Sequence, residues 1–384
     1  MAPMSQLTSV IDLSAIAHNV RRLADLTGGA EIMAVVKADG YNHGAVPVAK
    51  TALRAGASQL GVATFEEAVE LREAGIQAPV LYWLWSLDAE VQEQLRKAFE
   101  LRIDVAVCSL AHAREVAKAA AEFAASGEVP RITVKVDSGL HRSGVPSSDW
   151  RETFAVLARA ERAGDLHVTG LMSHLACADD PDSAFTDQQA RAFQSAIDLA
   201  QEVGLTPEMN HLANTPAALM REDLSFQMIR PGLAVYGCEP IPGQDHGFRP
   251  AMTWQAEVVT VKHLEAGDGV SYGQTWTAEE PTWVAVVAAG YADGLPRALQ
   301  GHLEVTIRGT RYPQVGRVCM DQFVVDLGPE GKQVAPGERA TIFGPGNNGE
   351  QTADDLAEAL GTINYEVLCS PRGRTVREYE QEEE

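Results

Sequence analysis

The sequence predicts an α/β chain: an N-terminal (β/α)8 barrel of the TIM type followed by a C-terminal, mostly-β domain. Three observations predict it. Eight short apolar runs recur through the first part of the chain, with alanine-rich helical patterns between them. Polar residues stand at or just past the C-terminal ends of these runs, the face on which barrels of this type build their sites. After Tyr236 the pattern changes to alternating or apolar runs separated by turn residues.

In order, the barrel runs are 31–37, 60–64, 79–84, 102–107, 132–137, 168–174, 207–212 and 226–230. The segments 65–73 and 111–125 carry apolar residues at helical spacing and predict helices. Segment 239–250, with three prolines and two glycines, predicts a linker. Beyond it, runs at 256–261, 283–288, 303–307, 323–327 and 340–343 predict an all-β domain or sandwich, interrupted by one helix over 352–360. The division expected is 1–240 for the barrel, with its first residues able to join the β domain, and 241–384 for the β domain. The acidic tail 378–384 is expected to fray.

Composition narrows the function classes. A net charge of −22 argues against unaided binding to nucleic acid and against an anionic membrane surface. Five scattered cysteines, Cys108, Cys177, Cys238, Cys319 and Cys369, show no metal-type pair spacing. Reduced thiols in a cytoplasm fit them best, and no metal is expected. Residues Met1 to Ser5 carry no export signal, and no apolar run is long enough to span a bilayer.

The run Ala34-Val35-Val36-Lys37-Ala38-Asp39-Gly40-Tyr41-Asn42-His43-Gly44 is the most informative. A buried apolar run ends in a lysine where side chains leave a core. There a partly desolvated amine can lose its proton and add to a carbonyl carbon. A lysine snorkelling into solvent is the plainer reading of that residue alone.

The surrounding motifs resemble those of alanine racemases over nearly the whole chain. They include Lys135-Val136-Asp137-Ser138-Gly139, His141-Arg142-Ser143-Gly144, His211-Leu212-Ala213-Asn214, Ile229-Arg230-Pro231-Gly232, Val270-Ser271-Tyr272-Gly273, Gly290-Tyr291-Ala292-Asp293-Gly294, Cys319-Met320-Asp321-Gln322 and Ile363-Asn364-Tyr365-Glu366. The resemblance implies pyridoxal 5'-phosphate held by Lys37. It implies a phosphate site from Tyr41, Asn214, Thr215, Tyr365 and the backbone of Gly232 and Leu233. Thr215 and Pro216 read as a helix start. Arg230 would face the pyridine nitrogen, supported by His174, and Arg142 would help hold the cofactor hydroxyl and the substrate carboxylate. Lys37 and Tyr272 would act as bases on opposite faces of the substrate Cα.

Tyr272, Met320, Asp321 and Tyr291 would come from the partner in a homodimer with shared sites, the last three at the substrate end. Lys135 would be a candidate for carbamylation, an unmodified Lys135 paired with Asp137 being the alternative. The implied reaction is interconversion of L- and D-alanine, supplying D-alanine for a peptidoglycan wall. A racemase of broader or different specificity, such as for serine, is the alternative. A barrel-type decarboxylase would need a carboxylate facing the pyridine nitrogen, and a non-catalytic carrier of the cofactor would not need the β domain. Asp39, Gly40 and Asn42 stand where the family more often has asparagine, alanine and glycine. Tyr82-Trp83-Leu84-Trp85 is bulkier than usual.

Overall fold

The computed structural model describes residues 5–124, 127–180, 182–241 and 243–380. The stretch read for an export signal, apart from Ser5, and the last residues of the acidic tail lie outside the described residues, as does the end of the helix expected at 111–125.

The first strand, β1 (Leu7–Asp12), leads into a helix at Leu13–Leu26 that is capped by the Asp12 carboxylate. Seven strands then form one parallel sheet: β2 (Glu31–Val35), β3 (Gln59–Val62), β4 (Val80–Tyr82), β5 (Asp104–Val107), β6 (Arg131–Lys135), β7 (His167–Met172) and β8 (Met228–Ile229). Their order is β7-β6-β5-β4-β3-β2-β8. The predicted helices form at Phe65–Glu73, with a Thr64–Glu67 capping box, and at Leu110–Phe123.

The run expected over 207–212 is not a regular strand. Segment 209–213 nevertheless fills the eighth place. Met209 and His211 N–H groups donate to the Thr169 and Leu171 carbonyls at 2.9 Å each, and on the other side Gln227 and Arg230 N–H groups donate to Asn210 and Ala213 carbonyls at 3.2 and 2.9 Å. The approach is close because β7 offers Gly170 there: a Cβ on it would lie 1.9 Å from the Met209 carbonyl oxygen. Ladder regularity fails while closure holds, and the sheet curls into a barrel with a core of Val, Ile, Leu and Ala.

The strands from Met252 to Phe343 pair antiparallel: β9 (Met252–Leu264), β10 (Gly269–Val270), β11 (Trp276–Thr277), β12 (Thr282–Val287), β13 (Glu304–Ile307), β14 (Thr310–Val315), β15 (Phe323–Gly328) and β16 (Arg339–Phe343). The expected sandwich closes on itself. Strand β9 is long enough to pair with β1 and β16 along its first half and with β12 along its second, so β12-β15-β14-β13-β16-β9 forms a ring. The predicted late helix is Ala353–Leu360, capped by Thr352.

The first part of the tail does not fray. Strand β17 (Val376–Glu380) pairs in parallel with β1, so the first and last described strands lie side by side. Alternation could not reveal β17, because its sequence is mostly exposed and charged.

Candidate active site

The first strand of the parallel sheet ends at Val35, and Lys37 follows two residues later at the mouth of the barrel. Lys37 lines a cavity of about 290 Å³ together with Tyr41, Trp83, Lys135, Arg142, Met172, His174, Asn214, Thr215, Arg230, Gly232, Leu233 and Tyr365. Residues spread over more than 300 positions of sequence therefore meet at the C-terminal end of the barrel strands. Burial holds the Lys37 amine below its ordinary pKa, and the Arg142 charge lowers it further. Its Nζ lies 6.0 Å from the ring centres of both Tyr41 and Trp83. Trp83 reaches the cavity across Gly61, where a Cβ would come within 2.9 Å of its ring.

Arg230 carries the strongest constraint. Its side chain is buried, and among the described residues it has no carboxylate partner. One terminal nitrogen donates to His211 Nδ1 at 2.9 Å and to the His211 carbonyl at 2.6 Å. The other donates to the Ser173 carbonyl and, at 3.1 Å, to the Leu212 carbonyl. A guanidinium has five N–H donors. Those four contacts leave the Nε–H for the cavity that Arg230 lines. Burial lowers the Arg230 pKa to about 10, so the group stays cationic at neutral pH. For Nδ1 to accept, His211 must be neutral, and burial with the Arg230 charge holds its pKa well below 6.5.

The side chain bonded to Arg230 is thus His211, which the sequence reading gave no role. His174 lines the cavity. Its pKa is lowered to about 3, by burial first and then by Arg230, Arg142, Lys135 and Lys37. His211 lies on the irregular segment that closes the barrel. The clue in the sequence was its place in the last residues before Asn214.

The other end of the cavity is built from backbone and hydroxyls. Asn214, not Thr215, caps the short helix Thr215–Met220, accepting the Ala217 N–H at 3.3 Å. Thr215 is freed to accept the Gly232 N–H at 3.1 Å through Oγ1. The Tyr41 hydroxyl lies so near Gly232 that a Cβ there would be 2.4 Å from it. The Tyr41 ring stacks on Tyr236 at 4.6 Å. Burial pushes the Tyr365 phenol up to about 12, so it stays a hydrogen-bond donor.

Lys135 is buried, lines the same cavity as Arg142 and Arg230, and does not pair with Asp137. Its amine donates to Ser143 Oγ, whereas Asp137 accepts from the Gly139 and His141 backbone and the His141 ring. Burial is the main cause holding the Lys135 pKa down.

These residues fit a phosphorylated pyridine aldehyde. The amine of Lys37 can bond the aldehyde. The single free Nε–H of Arg230 suits one acceptor nitrogen, and the hydroxyls and Gly232 suit a phosphate.

Tyr272, Tyr291, Met320 and Asp321 do not reach this cavity in one chain. They sit together on the antiparallel domain. Tyr291 and Ala292 N–H groups donate to the Cys319 and Met320 carbonyls at 3.1 and 3.0 Å, and Ser271 Oγ donates to the Arg317 carbonyl at 2.9 Å. Arg374 bridges Asp321 and the buried Asp293. Tyr272 is 71% exposed and Met320 53% exposed, large values for side chains of their size.

The family model described as "Alanine racemase, N-terminal domain" matches residues 11–240, and "Alanine racemase, C-terminal domain" matches 251–379. A curated alanine racemase of Corynebacterium glutamicum (strain R) is 51% identical over 376 residues, covering 98% of this chain and all of that one. One from Mycolicibacterium smegmatis is 51% identical over 379 residues, 98% of this chain and 96% of its own. Among solved structures, the alanine racemase of Corynebacterium glutamicum superposes with a TM-score of 0.85 at 48% identity, covering 98% of this chain and all of that one. That from D-cycloserine-producing Streptomyces lavendulae gives 0.91 at 42%, covering 98% and 97%.

Proposed function

The chain belongs to the alanine racemase family and is an isomerase that interconverts L- and D-alanine, and from that premise we propose how its residues do so. The alternative of a serine-type specificity is not favoured by these relatives. The single observation that carries the reading is the convergence of a desolvated Lys37 and a carboxylate-free, buried Arg230 on one cavity.

The cofactor is pyridoxal 5'-phosphate, which when bound supplies the carbonyl that captures amines and a ring that acidifies the substrate Cα–H. Lys37 would hold its aldehyde carbon, and Tyr41, Asn214, Thr215, Tyr365 and the backbone of Gly232 and Leu233 its phosphate. Arg230 would donate Nε–H to the ring nitrogen. A donor-only cation there keeps that nitrogen unprotonated, which weakens the ring as an electron sink. That suits a reaction that only moves a proton. The same feature argues against the barrel-type decarboxylase, which needs a carboxylate in this place. Lys37, whose ammonium is disfavoured by burial and by the Arg142 charge, takes or returns the proton on one face of Cα.

Tyr272 serves the opposite face. Its exposure, with that of Met320 and Tyr291, supports delivery from a second copy in a homodimer, where Met320, Asp321 and Tyr291 with Arg142 bound the substrate. The division of labour is a cofactor-binding part over 1–240 and a partner-facing part over 241–384. Lys135 is carbamylated: its amine, in the deprotonated form that burial favours, attacks carbon dioxide, a proton leaves, and the new anion answers the Arg142 and Arg230 charges that line the same cavity. A bare amine mass at Lys135 in the intact protein, under carbon dioxide, would sink that part. Among the described residues no helix is long and apolar enough to cross a membrane. A cytoplasmic enzyme supplying D-alanine to peptidoglycan completes the reading.

Incubation with L-alanine and pyridoxal phosphate, followed by chiral chromatography, tests it. A near-equal mixture of enantiomers is expected, and absence of D-alanine would overturn it. Shared sites are tested by mixing Lys37→Ala with Tyr272→Phe protein after dissociation. Half the dimers would be mixed and each would hold one intact site, so about a quarter of the activity returns. No recovery would reject the shared arrangement.

A further inference from the structure

Lys37 opens a turn that L-residues avoid. Ala38, Asp39, Gly40, Tyr41 and Asn42 have φ of +53°, +53°, +62°, +52° and +67°. The bonds Gly40 N–H to Val36 O (2.9 Å) and Asn42 N–H to Ala38 O (3.0 Å) make it a left-handed helical turn. Four of its five residues carry a Cβ, which in this conformation crowds the following carbonyl oxygen. Such a turn persists only where its surroundings over-determine it.

Two clamps do so. On the barrel side, Glu67 accepts the Ala38 N–H at 2.7 Å with one oxygen and the Ala63 N–H at 2.8 Å with the other. On the far side stands the last strand of the chain. Arg377 pairs through one nitrogen with Asp39 Oδ2 at 2.5 Å, and through the other donates to Asn42 Oδ1 at 2.9 Å. Asp39 Oδ1 accepts the Ala45 N–H at 2.8 Å, and the Asn42 amide donates to the Pro371 carbonyl at 2.7 Å. One planar fork therefore ties both polar side chains of the turn to β17. Two residues on, the Tyr379 hydroxyl packs so close to Gly44 that a Cβ there would lie 2.0 Å from it.

We propose that Arg377 is a positioning residue for the reaction: through Asp39 and Asn42 it locks the left-handed turn that sets Lys37 at the cavity. It does not line that cavity. The proposal rests on Lys37 being the cofactor lysine and base. An arginine is required because a lysine could answer Asp39 but could not span Asp39 and Asn42 with a rigid fork.

The test uses the loaded full-length enzyme and the variants Arg377→Ala and Arg377→Lys, with Arg311→Ala as a control on the same sheet. Hydrogen exchange read by mass spectrometry on peptides covering 37–44 is the first measurement, and kcat and KM for L-alanine the second. In Arg377→Ala, exchange across 37–44 is expected to quicken while that of β2 does not. Its kcat should fall by about 10- to 100-fold with KM changed far less, the size expected for a misplaced catalytic group. Arg377→Lys should recover part of kcat. Unchanged exchange in 37–44, or kcat within about twofold of wild type, would overturn the proposal, as would a matching loss in Arg311→Ala. If wild-type protein racemises nothing, the functional reading and the catalytic half of the proposal fall together, and exchange still decides whether Arg377 locks the turn.

Discussion

At the scale of single residues, chemistry was legible wherever a side chain's environment could be read from its neighbours along the chain. Lys37 at the end of an apolar run, Arg230 at the end of another and Thr215 beside Pro216 were all legible in this way, and all three line one cavity. His211 was not assigned a role, because its partner Arg230 is reached only when the 209–213 segment lies beside β8. The proposed placing of Lys37 and Tyr272 on opposite faces of the substrate makes a specific prediction for Tyr272→Phe. The overall equilibrium between enantiomers is fixed, so kcat/KM must fall equally in both directions, by about 10²- to 10⁴-fold. Lys37 remains, so in deuterium oxide one enantiomer should still exchange its Cα proton while the other does not. Exchange of both, or of neither, would remove Tyr272 from the opposite face; the readings are proton NMR for exchange and chiral chromatography for turnover.

At the scale of elements, strands with fully buried, β-branched sequences were found where periodicity put them, because burial on both faces writes a continuous apolar run. Elements defined by pairing alone were not. Segment 209–213 closes the barrel with a few hydrogen bonds on each side and no continuous ladder, and β17 is an exposed, charged strand that exists because β1 offers it an edge. Both show that an edge or a gap elsewhere can impose extended structure on a sequence with little preference of its own. Gly170 tests the first case. Its replacement by alanine puts a methyl 1.9 Å from the Met209 carbonyl oxygen, which neither strand can yield without breaking closure. Gly170→Ala should cost about 1–3 kcal/mol or more in denaturant unfolding. A loss well under about 1 kcal/mol would mean that 209–213 is not held against β7.

At the scale of the whole molecule, four desolvated histidines set a pH response. Burial holds His43 and His112 down to about 4 and is the main cause holding His174 down to about 3, and His211 lies well below 6.5. Each is neutral in the fold and binds a proton more readily once unfolded. Their contribution is therefore complete above pH 6.5 and is lost as pH falls from there toward their folded values. The slope approaches about 1.4 kcal/mol per pH unit for each of His43, His174 and His211, and is smaller for the partly exposed His112. Asp104, whose buried carboxyl is pushed up to about 6, works in the opposite sense below that pH and offsets one of these histidines. The thermal midpoint should drop between pH 6.5 and 5, and less steeply in His43→Gln. A midpoint flat across that range would contradict neutral burial. By itself the sequence determined the order of layers, the lysine, the arginine and the β domain, because apolar periodicity and strand-end chemistry are written locally. Only the tertiary structure decided how the barrel closes, that His211 braces Arg230, and that the last strand grips the lysine's turn. Those contacts join residues tens to hundreds of positions apart and leave no periodic trace in either partner.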